Sequence, residues 1–205
     1  SSKICPGLSG FLAAVTNPPV PESWWQIIRD ECPPYIPEKT PTTRLGRIPE
    51  TFRSYPGVLR SSHPQAPFAA WGKHAEKITT GQRLAGPFCK DGPLEKLYEL
   101  DGKILLIGAG HLNNTSLHYA EFKADIPNFP TASRAAPVLE NGKRVVKEWV
   151  EIDHESDDFP SLGEDFEKSI GYKPMLIGQA ESRLHSVRDM IDFASEWFKT
   201  HRKYE

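Results

Sequence analysis

His118 and Glu121 stand three residues apart in the stretch Gly108-Ala-Gly-His-Leu-Asn-Asn-Thr-Ser-Leu-His-Tyr-Ala-Glu121. On a helix that spacing puts both side chains on one face, where the carboxylate can orient and polarise the imidazole. Such a pair is the minimum for a general base, because the acid fixes one ring nitrogen and leaves the other to take a proton. A start in the first turns of the helix would also disfavour the imidazolium and keep the ring neutral. The same pattern suits an ordinary polar pair on a helix, and spacing alone leaves both readings open. His111, in the turn before that helix, reads as structural or solvated.

Two further groupings could bind rather than react. In Glu151-Ile-Asp153 the alternation of a strand puts both carboxylates on one face, suited to a polycation, while the acids that follow suit an exposed acidic loop equally well. Arg60-Ser-Ser-His-Pro64 offers hydroxyls, an arginine and main-chain donors in a loop that could meet a phosphate or a pantetheine arm. Gly108-Ala109-Gly110 lacks the third glycine of a dinucleotide fingerprint and the lysine of a P-loop, so it is turn geometry. Cys5, Cys32 and Cys89 have neither metal-ligand spacing nor an accompanying base, and free thiols are expected.

The elements that must position these groups follow from pattern. Lys103–Ile107 reads as a core strand closed by the glycines, and Thr115–Lys123 as the helix it feeds, capped by Asn114 or Thr115. Asn141-Gly142 predicts a tight hairpin between Val138-Leu139 and Arg144–Ile152. Helices are expected over Pro21–Arg29, Ile48–Arg53, Pro93–Leu100 and Ser186–Thr200, the last with Val187, Met190, Ile191, Ala194, Trp197 and Phe198 on one face. Another helix is expected over Ser161–Ile170, with Ser161 as cap and Glu164 completing a capping box. Short strands are expected over Phe68–Trp71 and Pro174–Gly178, and the opening Ser1–Val20 carries no assignable pattern. Helices and strands without regular βαβ alternation predict an α+β fold, an irregular mixed sheet flanked by helices, in one domain over residues 1–205.

At 205 residues, 38% hydrophobic and 25% charged, with a formal net charge of −2, the chain has a globular composition. No cluster of Lys and Arg gives a nucleic-acid footprint, and no apolar run reaches the ~18 residues of a membrane span. A cytoplasmic location is the simplest expectation. The 19 prolines, many of them in the first third, imply ordered loops.

Taken together, several segments resemble the aminoglycoside 3-N-acetyltransferase family, which differs from the GNAT acetyltransferases. They include Asn17-Pro-Pro-Val-Pro-Glu-Ser-Trp-Trp25, Thr40-Pro-Thr-Thr-Arg44, Gly46-Arg-Ile-Pro-Glu50, Phe52-Arg-Ser-Tyr-Pro56, Arg60–Pro64, Phe68-Ala-Ala-Trp-Gly-Lys-His74, Leu97-Tyr-Glu-Leu-Asp-Gly102, Gly108–Glu121, and Arg183 with Arg188-Asp189. The resemblance implies transfer of an acetyl group from acetyl-CoA, as co-substrate, to the 3-amino group of a 2-deoxystreptamine aminoglycoside, with no metal. It implies His118 as general base with Glu121 as its acidic partner. Glu151 and Asp153, with His111 and Asn114, would contact the cationic aminosugar or another small amine, and Arg60, Ser61, Ser62 and His63 would lie by the acetyl-CoA. It also implies a chain shortened by the family's first N-terminal strand and helix, working as a monomer or homodimer. Leu112, where relatives commonly carry aspartate, motivates a non-antibiotic amine as an alternative substrate, and the shortening motivates a noncatalytic homologue.

Overall fold

The computed structural model describes residues 26–27, 30–42 and 46–204. The opening Ser1–Val20, Cys5 and most of the helix expected over Pro21–Arg29 lie outside the described residues. In chain order the elements are α1 (Arg47–Arg53), β1 (Leu59–Arg60), β2 (Ala69–Ala70), α2 (Ala75–Thr79), α3 (Pro93–Glu99), β3 (Lys103–Ile107), a 3-10 turn (His111–Asn113) and α4 (Leu117–Ala124). They continue with β4 (Thr131–Glu140), β5 (Lys143–Ile152), α5 (Phe159–Ser169), β6 (Met175–Ile177), β7 (Ala180–Ser186) and α6 (Val187–His201). Helices among small antiparallel sheets make the architecture α+β, as expected. Among the described residues, no helix is long and apolar enough to cross a membrane.

The chain divides into two compact units, Ser1–Pro87 with Thr131–Glu151 and Phe88–Pro130 with Ile152–Glu205. In the first, β1 and β2 pair antiparallel in register Leu59↔Ala70, and the strand expected over Phe68–Trp71 shrinks to two residues. β4 and β5 form the predicted hairpin. Its turn residues Asn141 (φ 51°) and Gly142 (φ 74°) both adopt the left-handed conformation that a two-residue turn requires, which is why this dipeptide sits there. Among the described residues, the buried positions of this unit include Tyr35, Trp149, several alanines and the polar Ser61, His63, Gln65 and Gln82. Tyr35, 4% exposed, donates its hydroxyl to Ser61 O at 2.9 Å, and Gln65 donates to Ala135 O at 3.0 Å. Cys32 is disulfide-bonded, which corrects the expectation of free thiols; Cys89, in the second unit, remains a thiol.

In the second unit β3, β7 and β6 form an antiparallel sheet with β7 in the middle, in register Leu105↔Leu184 and Met175↔Ser182. α6 packs on α4, α3 and α5. Its Val187, Met190, Ile191, Ala194 and Phe198 are buried, spaced as one helical stripe, and they meet Leu117 and Ala120 of α4 and Phe159, Leu162 and Phe166 of α5 in an apolar core. α5 starts two residues before the expected cap: Pro160 occupies its first turn, where a missing N–H costs nothing, and Ser161 lies inside the helix.

Candidate active site

A local hydrogen-bond device delivers His118. β3 ends at Ile107, and from Gly108 the chain turns through the 3-10 segment to Asn114, whose Oδ1 accepts from Ser116 Oγ at 2.6 Å and Ser116 N at 3.3 Å. This side-chain turn sets the entry to α4, so Asn114 shapes the start of the helix from outside it. Ser116 takes the cap position without a capping bond of its own. His118 is then the second residue of α4 and Glu121 lies one turn further along.

Glu121 is 1% exposed, and both of its oxygens are fully used. Oε2 accepts from His118 Nδ1 at 2.7 Å and from His154 Nδ1 at 2.6 Å, while Oε1 accepts from Arg202 Nη1 at 2.5 Å and from the Glu155 amide at 3.3 Å. A carboxylate offers about four lone-pair directions, and four donors fill them. Burial works against the charge, but the hydrogen bonds from the two histidines outweigh it and hold the carboxyl down at about 2.

Arg202 in turn donates Nε and Nη2 to the two oxygens of Asp158, at 2.6 and 2.5 Å, and Nη2 to Glu155 O at 3.1 Å. Its guanidinium lies 4.2 Å from the Phe198 ring centroid. Burial disfavours its charge, yet its bonds to Asp158 and Glu121 prevail and its pKa is raised. The positive charge is therefore permanent.

The imidazole of His118 stacks on Phe88 at 4.9 Å between centroids and lies 5.0 Å from Phe159 and 4.8 Å from His154. Burial is the largest influence on it and pushes its pKa down; Glu121 pulls the other way, and the charges of His154 and Arg202 add to the depression. With Nδ1 committed to Glu121 as the donor, the neutral ring presents Nε2 as a lone pair. Among the described residues no hydrogen bond occupies that nitrogen. His154 Nε2 is buried with no partner among the described residues, so the two rings share one carboxylate and each turns its second nitrogen elsewhere.

The remaining predicted site residues have other local commitments. His111 is 5% exposed and bonds Glu167 Oε1 through Nε2 at 2.9 Å, its ring lying on Gly163 of α5 where an added Cβ would come within 2.1 Å of the imidazole. Glu151 binds Arg134 Nε at 3.2 Å and Trp149 Nε1 at 2.8 Å, within the first unit. Asp153, in the second unit, donates its amide to Pro130 O at 2.8 Å. Arg60 donates to Pro37 O and Thr40 O, and Ser61 Oγ accepts from the Phe68 amide. His63 bonds Leu84 O through Nε2 and accepts from the amides of Gln65 and Ala66 on Nδ1. Ser62 is exposed and, with Arg60, lines a cavity of about 710 Å³ in the first unit.

His154 and Arg202 were not read from the sequence. They lie 33 and 81 residues from Glu121, and no local spacing connects them.

Among the described residues two groups have donor sets that a metal could use, His118–Glu121–His154 and His111–Glu167–His185. In each, an arginine already sits on the carboxylate, Arg202 in the first and Arg183 at 3.0 Å in the second. A dication would have to displace or neighbour a guanidinium, so both read as buried charge networks.

A family model described as aminoglycoside 3-N-acetyltransferase matches residues 11–199. The aminoglycoside N(3')-acetyltransferase-like protein YokD of Bacillus subtilis is 44% identical over 183 residues, covering 89% of this chain and 66% of YokD. Its crystal structure superposes with a TM-score of 0.81 at 42% identity, over 91% of this chain and 72% of that one. The aminoglycoside N(3)-acetyltransferase VII of Streptomyces paromomycinus is 33% identical over 193 residues, 87% of this chain and 67% of its own length. A binary complex of AAC-IIIb with CoASH has a TM-score of 0.79 at 29% identity, over 91% and 71% of the two chains. The chain thus spans about two thirds of the length of these curated relatives. By the span of the family match and by these identities, it belongs to the aminoglycoside 3-N-acetyltransferase family.

Proposed function

We propose that the chain transfers an acetyl group from acetyl-CoA to the 3-amino group of a 2-deoxystreptamine aminoglycoside, with His118 as general base. The observation that carries this reading is the arrangement of one ring: Nδ1 of His118 is fixed by a carboxylate with every lone pair in use, and Nε2 has no hydrogen bond among the described residues. Such a ring can accept one proton at one atom. Family membership supplies the acyl-transfer chemistry, and AAC-IIIb, a structural neighbour, binds CoASH.

In this reading the substrate amine attacks the thioester carbonyl and gives a proton to His118 Nε2. The imidazolium is stabilised by Glu121 across the 2.7 Å bond, the tetrahedral adduct collapses, and the C–S bond breaks. The thiolate of CoA takes the proton back from His118, which restores the base. No covalent enzyme intermediate is required.

Asp153, one residue before His154, is the proposed contact for a substrate ammonium group. Glu151, paired with Arg134, is the second proposed contact. Within the predicted cofactor loop, Arg60 and Ser62 are open to the 710 Å³ cavity, whereas Ser61 and His63 are spent on the shape of the loop.

Thiol release from acetyl-CoA with a panel of deoxystreptamine antibiotics tests the reading. Turnover with at least one of them is expected, and His118→Ala should lower kcat by about 10²–10⁴-fold. Turnover that survives the substitution removes His118 from the role of base, and failure with every antibiotic but success with simpler amines moves the substrate.

A further inference from the structure

We infer that Arg202 is a positioning residue of this site: it holds Oε1 of Glu121 so that Oε2 faces both imidazoles, and its charge, balanced by Asp158, keeps His118 free to accept a proton. The inference rests on the reading of His118 as the base. Arg202 lies beyond residues 11–199 of the family match. It follows the last turn of α6, where its own amide bonds Phe198 O at 2.9 Å, so the helix end fixes its backbone.

Geometry gives the guanidinium a job that packing alone does not. A carboxylate rotates about its last bond, and with two imidazoles as the sole donors, both on one oxygen, its plane could swing. Arg202 Nη1 and the Glu155 amide hold the other oxygen and so fix that plane with one oxygen facing both rings. Asp158 grips the other edge of the guanidinium through two bonds, a fork-to-fork pairing that a lysine cannot reproduce. Arg202 is 7% exposed and Glu121 1%, so these two charges are shielded from solvent and act strongly on one another.

Among the described residues, the charged and titratable groups around His118 come from three places. α4 supplies Glu121, the segment before α5 supplies His154, Glu155 and Asp158, and the end of α6 supplies Arg202 and Tyr204, whose hydroxyl lies 3.5 Å from Glu155 Oε2. Removing Arg202 takes a cation away from His118 and should make it easier to protonate. Removing the charge of Asp158 leaves that cation uncompensated and should make it harder. The two shifts are opposite in sign, whereas loosening of the fold would move both variants alike.

The test measures kcat against pH for the full chain, Arg202→Gln, Arg202→Lys and Asp158→Asn, with the titration of ¹⁵N-labelled His118 followed by NMR in each. In Arg202→Gln the acid limb of kcat and the His118 titration should both rise by about one pH unit, with kcat down about tenfold and KM little changed. In Asp158→Asn both should fall. Arg202→Lys, with the charge but not the fork, should keep the wild-type midpoint at a reduced kcat. Shifts in the same direction in Arg202→Gln and Asp158→Asn, or a lower kcat on an unmoved midpoint in Arg202→Gln, overturn the inference. If Arg202→Gln does not fold, the downward shift in Asp158→Asn and the unmoved midpoint in Arg202→Lys still decide it. If the wild type shows no turnover, opposite NMR shifts uphold the positioning while the reading of His118 as a base fails.

Discussion

At the scale of single residues, the ring nitrogens decide what each histidine does. Nδ1 of His63 accepts two amides and its Nε2 donates to a carbonyl, so the ring is neutral by construction, and burial drives its pKa from 6.5 down to about 4. Between those values the unfolded chain binds a proton that the folded chain refuses, so stability rises with pH across the window. Roughly 3 kcal/mol should be lost from this residue by pH 4. Urea unfolding at a series of pH values should show a shallower slope for His63→Asn than for the wild type, by one proton. The same substitution keeps an acceptor for the turn and loses the link to Leu84, at a cost of about 1–2 kcal/mol near neutral pH. What could be read at this scale was the pair His118 and Glu121, because i,i+3 proximity is a property of the helix itself. The other donors to Glu121 come from distant segments brought in by tertiary packing. For the same reason Glu151 looked like an open carboxylate, although its partners lie on the same hairpin.

Elements were legible where hydrophobic period or turn chemistry was strong. Asn141-Gly142, the Lys103–Ile107 strand and the stripe of α6 all appear where pattern put them, but β3 is not the core strand expected, since Leu105 and Ile107 are half exposed, and Trp197 is only half-buried and stacks on His201 at 3.9 Å. β7, the central strand of its sheet, escaped because Glu181, Ser182, Arg183, His185 and Ser186 give it no apolar alternation; its buried positions are Ser182 and His185. The start of α5 was misplaced because a capping-box pattern at Ser161 competed with a proline that opens the helix earlier. α5 also carries a glycine in mid-helix, normally unfavourable, and the His111 ring explains it. Gly163→Ala gains helix propensity but must displace that ring, so thermal or urea unfolding should report a net loss of roughly 1–3 kcal/mol.

For the molecule as a whole, the described residues show a continuous apolar core in the second unit, and in the first a set of buried hydrogen bonds around Tyr35, His63 and Gln65. The second also presents apolar groups outward: Leu105, Ile107, Met175, Ile177 and Leu184, each between 44% and 53% exposed, share one face of its sheet. Replacing Leu105 and Leu184 together by serine should lower the binding of a hydrophobic dye, with Tm changing by only about 2–4 °C. Unchanged dye binding would show that the face is not what the dye finds. The class of fold followed from the mixture of elements, but the division into interleaved units did not, because it depends on which distant segments meet.

The hydrogen bond between Arg202 and Glu121 joins residues 81 positions apart. During synthesis at ~5–20 residues per second, Glu121 is made roughly 4–16 s before the guanidinium that will cover Oε1 exists. Through that interval the residues of α4 exist without the cation that balances Glu121, and the imidazole partner from residue 154 arrives first. The site is thus completed in the order of translation, carboxylate, then second histidine, then arginine. A ribosome that stalls late in the message would hold a nascent chain with its proposed base already made and its charge balance still unfinished.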